Sequence, residues 1–438
     1  MKKTFISFIG KGQREERGDN TSPYKKAKYD FGGGVVCETQ CFAEAVRESG
    51  LYKFDEVLFV GTPTSSWSAL LENVAGAEDL CLELFSRESN GKELEPAYAA
   101  KLTSSLSGAW GNIPVRLHLN EADLLPENAE SIFDAYVGKL LDSGDDILLD
   151  ITHSFRWMPL LLTSALRFRD AFGSKGGGIQ IIYGEFGGEG ENSPVRCLDV
   201  LVKERKIAEA ISLFFEKFEP GPLANALEDH WPIGAGALRT FGTHIQGNLF
   251  LPLLFNCGQP GFAPGAPLNQ LRNALREFDA AGKPVWVKQV HKKLGELHKK
   301  LADKEGPERL RTLAELLAER KLYGQAIPAV CLAMELSLVR ANGYDQFPDY
   351  DTVKALENDF LDKKGPNPSQ QRWYLSHIRN TRNLIAHGGL FIDREDSARD
   401  QAYPAPEALS GQFTAVRNQQ SELQRYLETE YRPAQKKK

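Results

Sequence analysis

Ile147-Leu148-Leu149-Asp150-Ile151-Thr152-His153-Ser154-Phe155-Arg156 runs from a short apolar segment through a polar loop into a helix. The run Ile147 to Leu149, closed by Asp150, has the length and content of a buried strand. Phe155 to Phe172 then reads as a helix and Ile179-Gln180-Ile181-Ile182-Tyr183 as another strand. Strand, helix, strand is the repeating unit of a parallel sheet. The pattern extends outward. Thr4-Phe5-Ile6-Ser7-Phe8-Ile9 is a strand ending in Gly10-Lys11-Gly12, and a long polar loop follows as far as Gly32 to Gly34. Val36 to Ser49 reads as a helix, Val57-Leu58-Phe59-Val60 as a strand ending in Gly61, and Ser66 to Phe85 as a helix. Val115 to Leu119 is a strand and Ile132 to Leu141 a helix. Apolar strands alternating with helices predict a mostly parallel sheet covered on both faces. Ligands of such sheets bind at the carboxyl ends of the strands, so the loops that follow them are where function should be sought.

The pattern changes near Val202. Val202 to Lys217, Leu268 to Glu277, the lysine-rich Val287 to Leu301, Glu308 to Arg320, Ala326 to Arg340, Asp351 to Asp362, Ser369 to His387 and Pro406 to Glu428 all read as helices. Gly221 to Gly265, rich in Pro and Gly, resists assignment. The expected organisation is an α/β domain over 1–200, a helical connecting region over 201–320 and an all-α domain over 321–438. The tail Arg432 to Lys438 is basic, and no internal repeat is visible.

Composition narrows the function classes. A chain of 438 residues exceeds what one core usually supports. Its 42% hydrophobic and 26% charged content is that of a soluble globular protein. A formal charge of −6 excludes a globally basic nucleic-acid coat and leaves room for a local basic patch. No stretch reads as apolar and long enough to cross a bilayer, and Met1 to Gly10 lacks the features of a signal peptide. The six scattered cysteines fit reduced thiols and a cytoplasmic location. Cys37 and Cys41 have no companion pair, so a zinc site, or any metal site, is not expected.

Three loops follow predicted strands. They are Gly10-Lys11-Gly12, Gly61-Thr62-Pro63-Thr64-Ser65-Ser66-Trp67, and Asp150 to Pro159. Glycine lets a backbone approach a ligand closely. Hydroxyls and helix N-terminal amides suit phosphates, Lys11 and Arg156 supply positive charge, and the Trp67 ring offers a stacking face. Taken singly these are ordinary helix caps, with Ser65 or Ser66 serving one helix and Thr152 or Ser154 the next. Taken together at one sheet edge they describe a pocket. None is a Walker A or a Gly-x-Gly-x-x-Gly, which disfavours a nucleoside triphosphatase or a dehydrogenase.

A second motif lies near the C-terminus: Arg379-Asn380-Thr381-Arg382-Asn383-Leu384-Ile385-Ala386-His387-Gly388-Gly389. Asn383 and His387, four apart, share a helical face. Arg382 sits about 140° around the helix from His387. One helix therefore does not aim all three at one point, whereas two copies about a two-fold axis can. Gly388 and Gly389 read as a helix stop, which puts His387 in the last turn, where an imidazolium is favoured. Metal-free RNA cleavage uses the ribose 2′-hydroxyl as nucleophile. A histidine suits the proton transfers and an arginine the phosphate. Asn383 would orient either. His377, about 80° from His387, reads as structural. Glu335 either pairs with an arginine of the motif or is solvated.

The string Asp150-Ile151-Thr152-His153-Ser154-Phe155-Arg156 resembles the Asp-Ile-Thr-His-Gly-Phe-Arg motif of CARF domains, departing from it at Ser154. Tyr24 to Tyr29, the Gly61 to Trp67 loop and the Phe5 to Gly10 strand resemble the same family. Arg382-x-x-x-x-His387 resembles the signature of HEPN ribonucleases, and Tyr323 to Arg340 an earlier HEPN helix. The whole is similar to the CARF–HEPN ancillary ribonucleases of type III CRISPR systems. That resemblance implies a Rossmann-like α/β sensor domain followed by an all-α HEPN domain. It implies a homodimer, with higher assembly open, and a metal-independent endoribonuclease that cuts single-stranded RNA without a cofactor. The activator would be a cyclic oligoadenylate, with cyclic tetra-adenylate first and cyclic hexa-adenylate second. By resemblance, Gly10, Lys11, Thr62, Ser65, Ser66, Trp67, Thr152, His153 and Arg156 bind it, while Arg382, Asn383 and His387 carry catalysis. The competing readings are a regulator that binds RNA or a partner without cutting, a HEPN toxin acting by nucleotide transfer, and a nucleotide-binding α/β protein with a helical interaction domain. Val202 to Arg320 is the expected route of any signal between the two sites.

Overall fold

The computed structural model describes residues 2–10, 26–120, 130–135, 146–153, 158–171, 178–185, 191–256, 263–362 and 408–429. It divides into two compact units, Met1–Arg205 and Lys206–Lys438.

The first unit is built on an eight-stranded sheet. Its strands are β1 (Lys3–Ile9), β2 (Ala27–Asp30), β3 (Val36–Thr39), β4 (Glu56–Gly61), β5 (Val115–Leu119), β6 (Asp146–Asp150), β7 (Ile179–Gly184) and β8 (Asn192–Cys197). Their spatial order is β3-β2-β8-β7-β6-β1-β4-β5. The pairs β1–β4, β1–β6, β4–β5, β6–β7 and β2–β8 are parallel, and β7–β8 and β2–β3 are antiparallel. This is a mixed sheet, parallel through its centre, as the alternating sequence pattern predicts.

The central strands are apolar because both of their faces are covered. Side chains alternate between two cores along each strand. Phe5, Val57, Phe59, Leu148 and Ile182 enter one core, with Phe42 and Val46 of α1 (Phe42–Ser49), Leu84 of α2 (Glu78–Ser89) and Leu102 and Leu106 of α3 (Pro96–Ala109). Ile6, Phe8, Leu58, Val60, Ile147, Leu149 and Ile181 enter the other, with Ile132 and with Ala165 and Leu166 of α4 (Met158–Ala171). Each buried side chain of this size contributes about 1.5–3 kcal/mol, so the sheet centre is the most strongly specified part of the unit.

Several boundaries differ from the sequence reading. Val36 to Ser49 is not one helix. Val36–Thr39 pairs with β2 as an edge strand, and only Phe42–Ser49 is helical. Ser66 to Phe85 is likewise interrupted, by a 3₁₀ turn at Trp67–Leu70 and a left-handed Gly76 (φ +77) before α2 begins. The strand β2 lies within the stretch read as a polar loop.

The second unit is helical. Its elements begin with α5 (Asp199–Lys217), which carries the boundary between the units, and continue through α6 (Gly221–Leu227), α7 (Pro232–Gln246), α8 (Phe250–Leu254) and α9 (Ala266–Arg276). Then come α10 (Val285–Ala302), α11 (Pro307–Glu319), α12 (Tyr323–Ala341), α13 (Tyr350–Asp362) and α14 (Ala408–Thr429). The stretch 201–320, read in the sequence as a connecting region, shares one hydrophobic core with the helices after it, from Ala210 through Leu313 and Val330 to Leu427. The unassigned Gly221 to Gly265 stretch contains α6, α7 and α8. Buried Arg309 ties the end of α8 to the end of α10. Its guanidinium donates to the carbonyls of Leu301 (3.1 Å), Lys304 (3.0 Å) and Leu254 (2.9 Å), satisfying groups that helix termini leave open. Among the described residues one helix, α12, is long and apolar enough to cross a membrane, which the sequence reading did not find. Its Ile327, Val330, Leu336 and Val339 are buried in this core.

Candidate functional site

The sheet order places β1 between β4 and β6, so the chain leaves β1 toward one side and later returns to the other. A crevice at such a switch point is where open α/β sheets hold ligands. The loops after β1, β4 and β6 meet there. The Ser66 amide donates to the Gly10 carbonyl at 3.0 Å, and Ser65 Oγ donates to the Ile9 carbonyl at 2.7 Å. A Cβ added to Gly10 would lie 3.2 Å from the His153 carbonyl. A side chain at position 10 would therefore crowd the third loop by a few tenths of an ångström.

The β4 loop is a closed hydrogen-bonded turn. The Thr62 amide donates to Ser65 Oγ (2.9 Å) and the Ser65 amide to the Thr62 carbonyl (3.0 Å). Thr62 Oγ1 lies 3.2 Å from both Thr64 Oγ1 and Ser65 Oγ. The Trp67 indole donates to the Thr62 carbonyl at 2.9 Å. That ring is 1% exposed, so the stacking face expected of Trp67 is not presented. It fills the space above Gly61, where any Cβ would lie 2.6 Å from Trp67 Cζ2. Ser65 and Ser66 do not cap the 3₁₀ turn through their side chains. Thr62, Ser65, Ser66 and Trp67 are all buried and form the frame, while Thr64 is part-exposed at its surface.

The β6 loop is pinned from beneath. Register places Ser7 opposite Asp150, and Ser7 Oγ donates to Asp150 Oδ2 at 2.6 Å. Asp150 Oδ1 accepts the Thr152 amide at 2.8 Å, and Thr152 Oγ1 accepts the Gly184 amide at 2.9 Å. Asp150 is fully buried. Burial pushes its carboxyl up to about 6 against the lowering effect of the bonds from Ser7 and Thr152. His153 Nε2 lies 3.2 Å from the Tyr29 hydroxyl. Burial holds this imidazole down at about 4 and drives the Tyr29 phenol well above its ordinary value. At neutral pH both are uncharged, so one hydrogen bond joins the phenol and the imidazole. Tyr29 gains its place because Gly184 has no side chain. A Cβ there would lie 2.8 Å from the Tyr29 ring.

The structure therefore brings together Gly10, Thr62, Ser65, Ser66, Trp67, Thr152 and His153. Lys11 and Arg156 lie outside the described residues, as does Ser154. So do Arg382, Asn383 and His387, with His377 and the rest of the C-terminal motif. Four contributors were not singled out in the sequence. Asp150, Tyr29 and Thr64 stood inside quoted strings without a role, and Ser7 gains its role only through strand register. Chemically, the described edge offers hydroxyls, a neutral imidazole and a close-approach glycine. That set suits a polar, hydrogen-bonding ligand better than one held by charge alone.

No family model matches the chain. It is similar to the CRISPR-associated protein MJ1674 of Methanocaldococcus jannaschii, at 29% identity over 196 residues. The match covers 39% of this chain and 30% of that protein, less than a third of the relative's own length. Over part of its length, then, this chain is similar to a protein described as CRISPR-associated.

Proposed function

We propose that the chain is a CRISPR-defence endoribonuclease in which a cyclic oligoadenylate at the β1/β4/β6 edge switches on RNA cutting by Arg382, Asn383 and His387. The observation that carries the sensor half is the meeting of the Gly10, Thr62–Trp67 and Asp150–His153 loops at the switch point. Likeness to a CRISPR-associated protein supports the same reading. The described frame is pre-organised, because most of its amides are already bonded within the loops. Little ordering remains to be done when a ligand arrives. Thr64, Thr152, His153 and Gly10 would meet the ligand's riboses, phosphates and bases. One ring would span two chains of a homodimer.

In the cutting step His387 and its dimer mate would move protons. One takes the proton of the ribose 2′-hydroxyl, which attacks the adjacent phosphorus. The bond from phosphorus to the 5′ oxygen then breaks, and that oxygen receives a proton. The products are a 2′,3′-cyclic phosphate and a 5′-hydroxyl. Arg382 would hold the phosphate as negative charge builds on its oxygens, and Asn383 would orient the histidine.

Calorimetry with cyclic tetra-adenylate, cyclic hexa-adenylate and linear tetra-adenylate tests the sensor half. Binding of one ring at one per two chains, weakened by His153→Ala and not shared by the linear form, is expected. Equal binding of linear and cyclic forms, or binding of neither ring, overturns the reading.

A further inference from the structure

The lysine-rich stretch noted in the sequence is α10, and its residues sort cleanly around the helix. Val287, Val290, Leu294, Leu297 and Leu301 are buried in the unit's core. Directly opposite, Lys288, Lys292, Gly295 and Lys299 fall within about 60° of one another at 100° per residue. This row runs for roughly 16 Å along the helix. Lys288, Lys292 and Lys299 are exposed, and no described carboxylate pairs with any of them. The row beside it holds Lys293, Glu296 and Lys300, with Lys293 Nζ 5.2 Å from the Phe215 ring centre. On the other flank His298 is held below its usual value by burial first and by the nearby Arg272 of α9 second, while Asp303 acts in the opposite sense. Positive charge therefore continues from α10 onto α9.

Gly295 is the second observation. It sits in the middle of a helix, where glycine costs about 1 kcal/mol relative to alanine. A Cβ there would meet nothing within 4 Å, so no packing inside the unit requires its absence. A gap in the middle of a lysine row lets a chain with a bulky backbone lie close to the helix.

We infer that the Lys288–Lys292–Gly295–Lys299 face of α10 is a docking track for the sugar–phosphate backbone of single-stranded RNA. The inference rests on the ribonuclease reading and names further residues that hold its substrate. The occupant is chosen by charge complementarity. Three ammonium groups at helical spacing, with no ion-pair partner among the described residues, match a polyanion, and lysine serves it as a point charge without reading sequence. The segment belongs to the unit whose chain also carries Arg382 and His387.

The test measures binding of labelled single-stranded RNA to the full chain in a His387→Ala background, as a function of salt. Lys288→Gln/Lys292→Gln/Lys299→Gln should weaken binding on the order of tenfold at moderate salt. It should flatten the slope of log affinity against log salt by about 2, since each phosphate contact on a single strand contributes about 0.7. Replacing the same lysines by arginine should restore both values. Gly295→Gln should weaken RNA binding, and Gly295→Ala should raise the melting temperature without strengthening that binding. An unchanged affinity and slope in the triple Gln variant, with wild-type cutting intact, overturns the track and makes this face merely solvated. Absence of any RNA binding by the His387→Ala chain, together with no cutting by wild type, overturns the ribonuclease reading itself.

Discussion

The β1/β4/β6 edge and the outer face of α10 both suit phosphate-bearing ligands, and they are built in opposite ways. The described part of the edge carries no lysine or arginine, is largely buried and is bonded to itself. Ser7, Asp150, Thr152 and Gly184 form one chain of hydrogen bonds, and Ser65, Thr62 and Trp67 form another. The α10 face is charged, exposed and without ion-pair partners among the described residues. A pre-organised frame of hydrogen bonds discriminates shape. A row of lysines supplies affinity that falls steeply with salt. A selective sensor and an unselective substrate track call for those two designs respectively.

The largest expected effect separates cutting from sensing. His387→Ala should lower RNA cleavage by about 10³-fold, within the range of general acid–base catalysis. Ring binding measured by calorimetry should not change. A parallel loss of ring binding would break the division of labour between the two units.

The next effect tests the frame. Asp150→Ala leaves the Ser7 hydroxyl and the Thr152 amide without an acceptor, at about 1–3 kcal/mol for each buried group. Chemical denaturation should show this loss in the α/β unit. The salt slope of RNA binding should stay at its wild-type value. Gly61→Ala follows, because its Cβ collides with the Trp67 ring and should cost about 1–3 kcal/mol. A neutral result would mean that Trp67 is not held as described.

The smallest effect is in pH. Asp150 is raised from 3.8 to about 6, so its contribution to stability is complete below pH 4 and is lost as pH rises through 6. His153 is lowered from 6.5 to about 4, so its contribution is complete above pH 6.5 and is lost as pH falls through 4. The two slopes oppose each other in the wild type. Melting curves of Asp150→Asn should show stability rising with pH between 4 and 6.5, and those of His153→Gln should show it falling, each by no more than about 3 kcal/mol. Identical profiles for both variants would remove the burial assigned to these groups.

How much of this was legible in the sequence follows from burial. The strands β1, β4, β6 and β7 are covered on both faces, so they appear as apolar runs and were read nearly to their ends. The three strands at the β3 end of the sheet carry no such signal. Ala27–Asp30 is polar on one side, Asn192–Cys197 contains Pro194, and Val36–Thr39 runs into α1 with no Gly or Pro between. In Gly221 to Gly265, prolines that looked like breakers are helix starters, with Pro222 and Pro232 in the first turns of α6 and α7. Glycines there make room for neighbours, as Gly234 does for the Trp231 ring. The site loops were legible because they follow strands. The pins beneath them were not, because Ser7 meets Asp150 only once β1 and β6 are known to be adjacent.

The most direct test of the central claim is cleavage of a labelled single-stranded RNA in a chelator. Reactions would hold no activator, cyclic tetra-adenylate or cyclic hexa-adenylate, with wild type, His153→Ala and His387→Ala. The account predicts cutting by wild type with one ring only, a higher ring concentration for half-activation in His153→Ala, and cutting slowed by about 10³-fold in His387→Ala. Cutting that is independent of either ring, or that keeps its wild-type rate in His387→Ala, would contradict it.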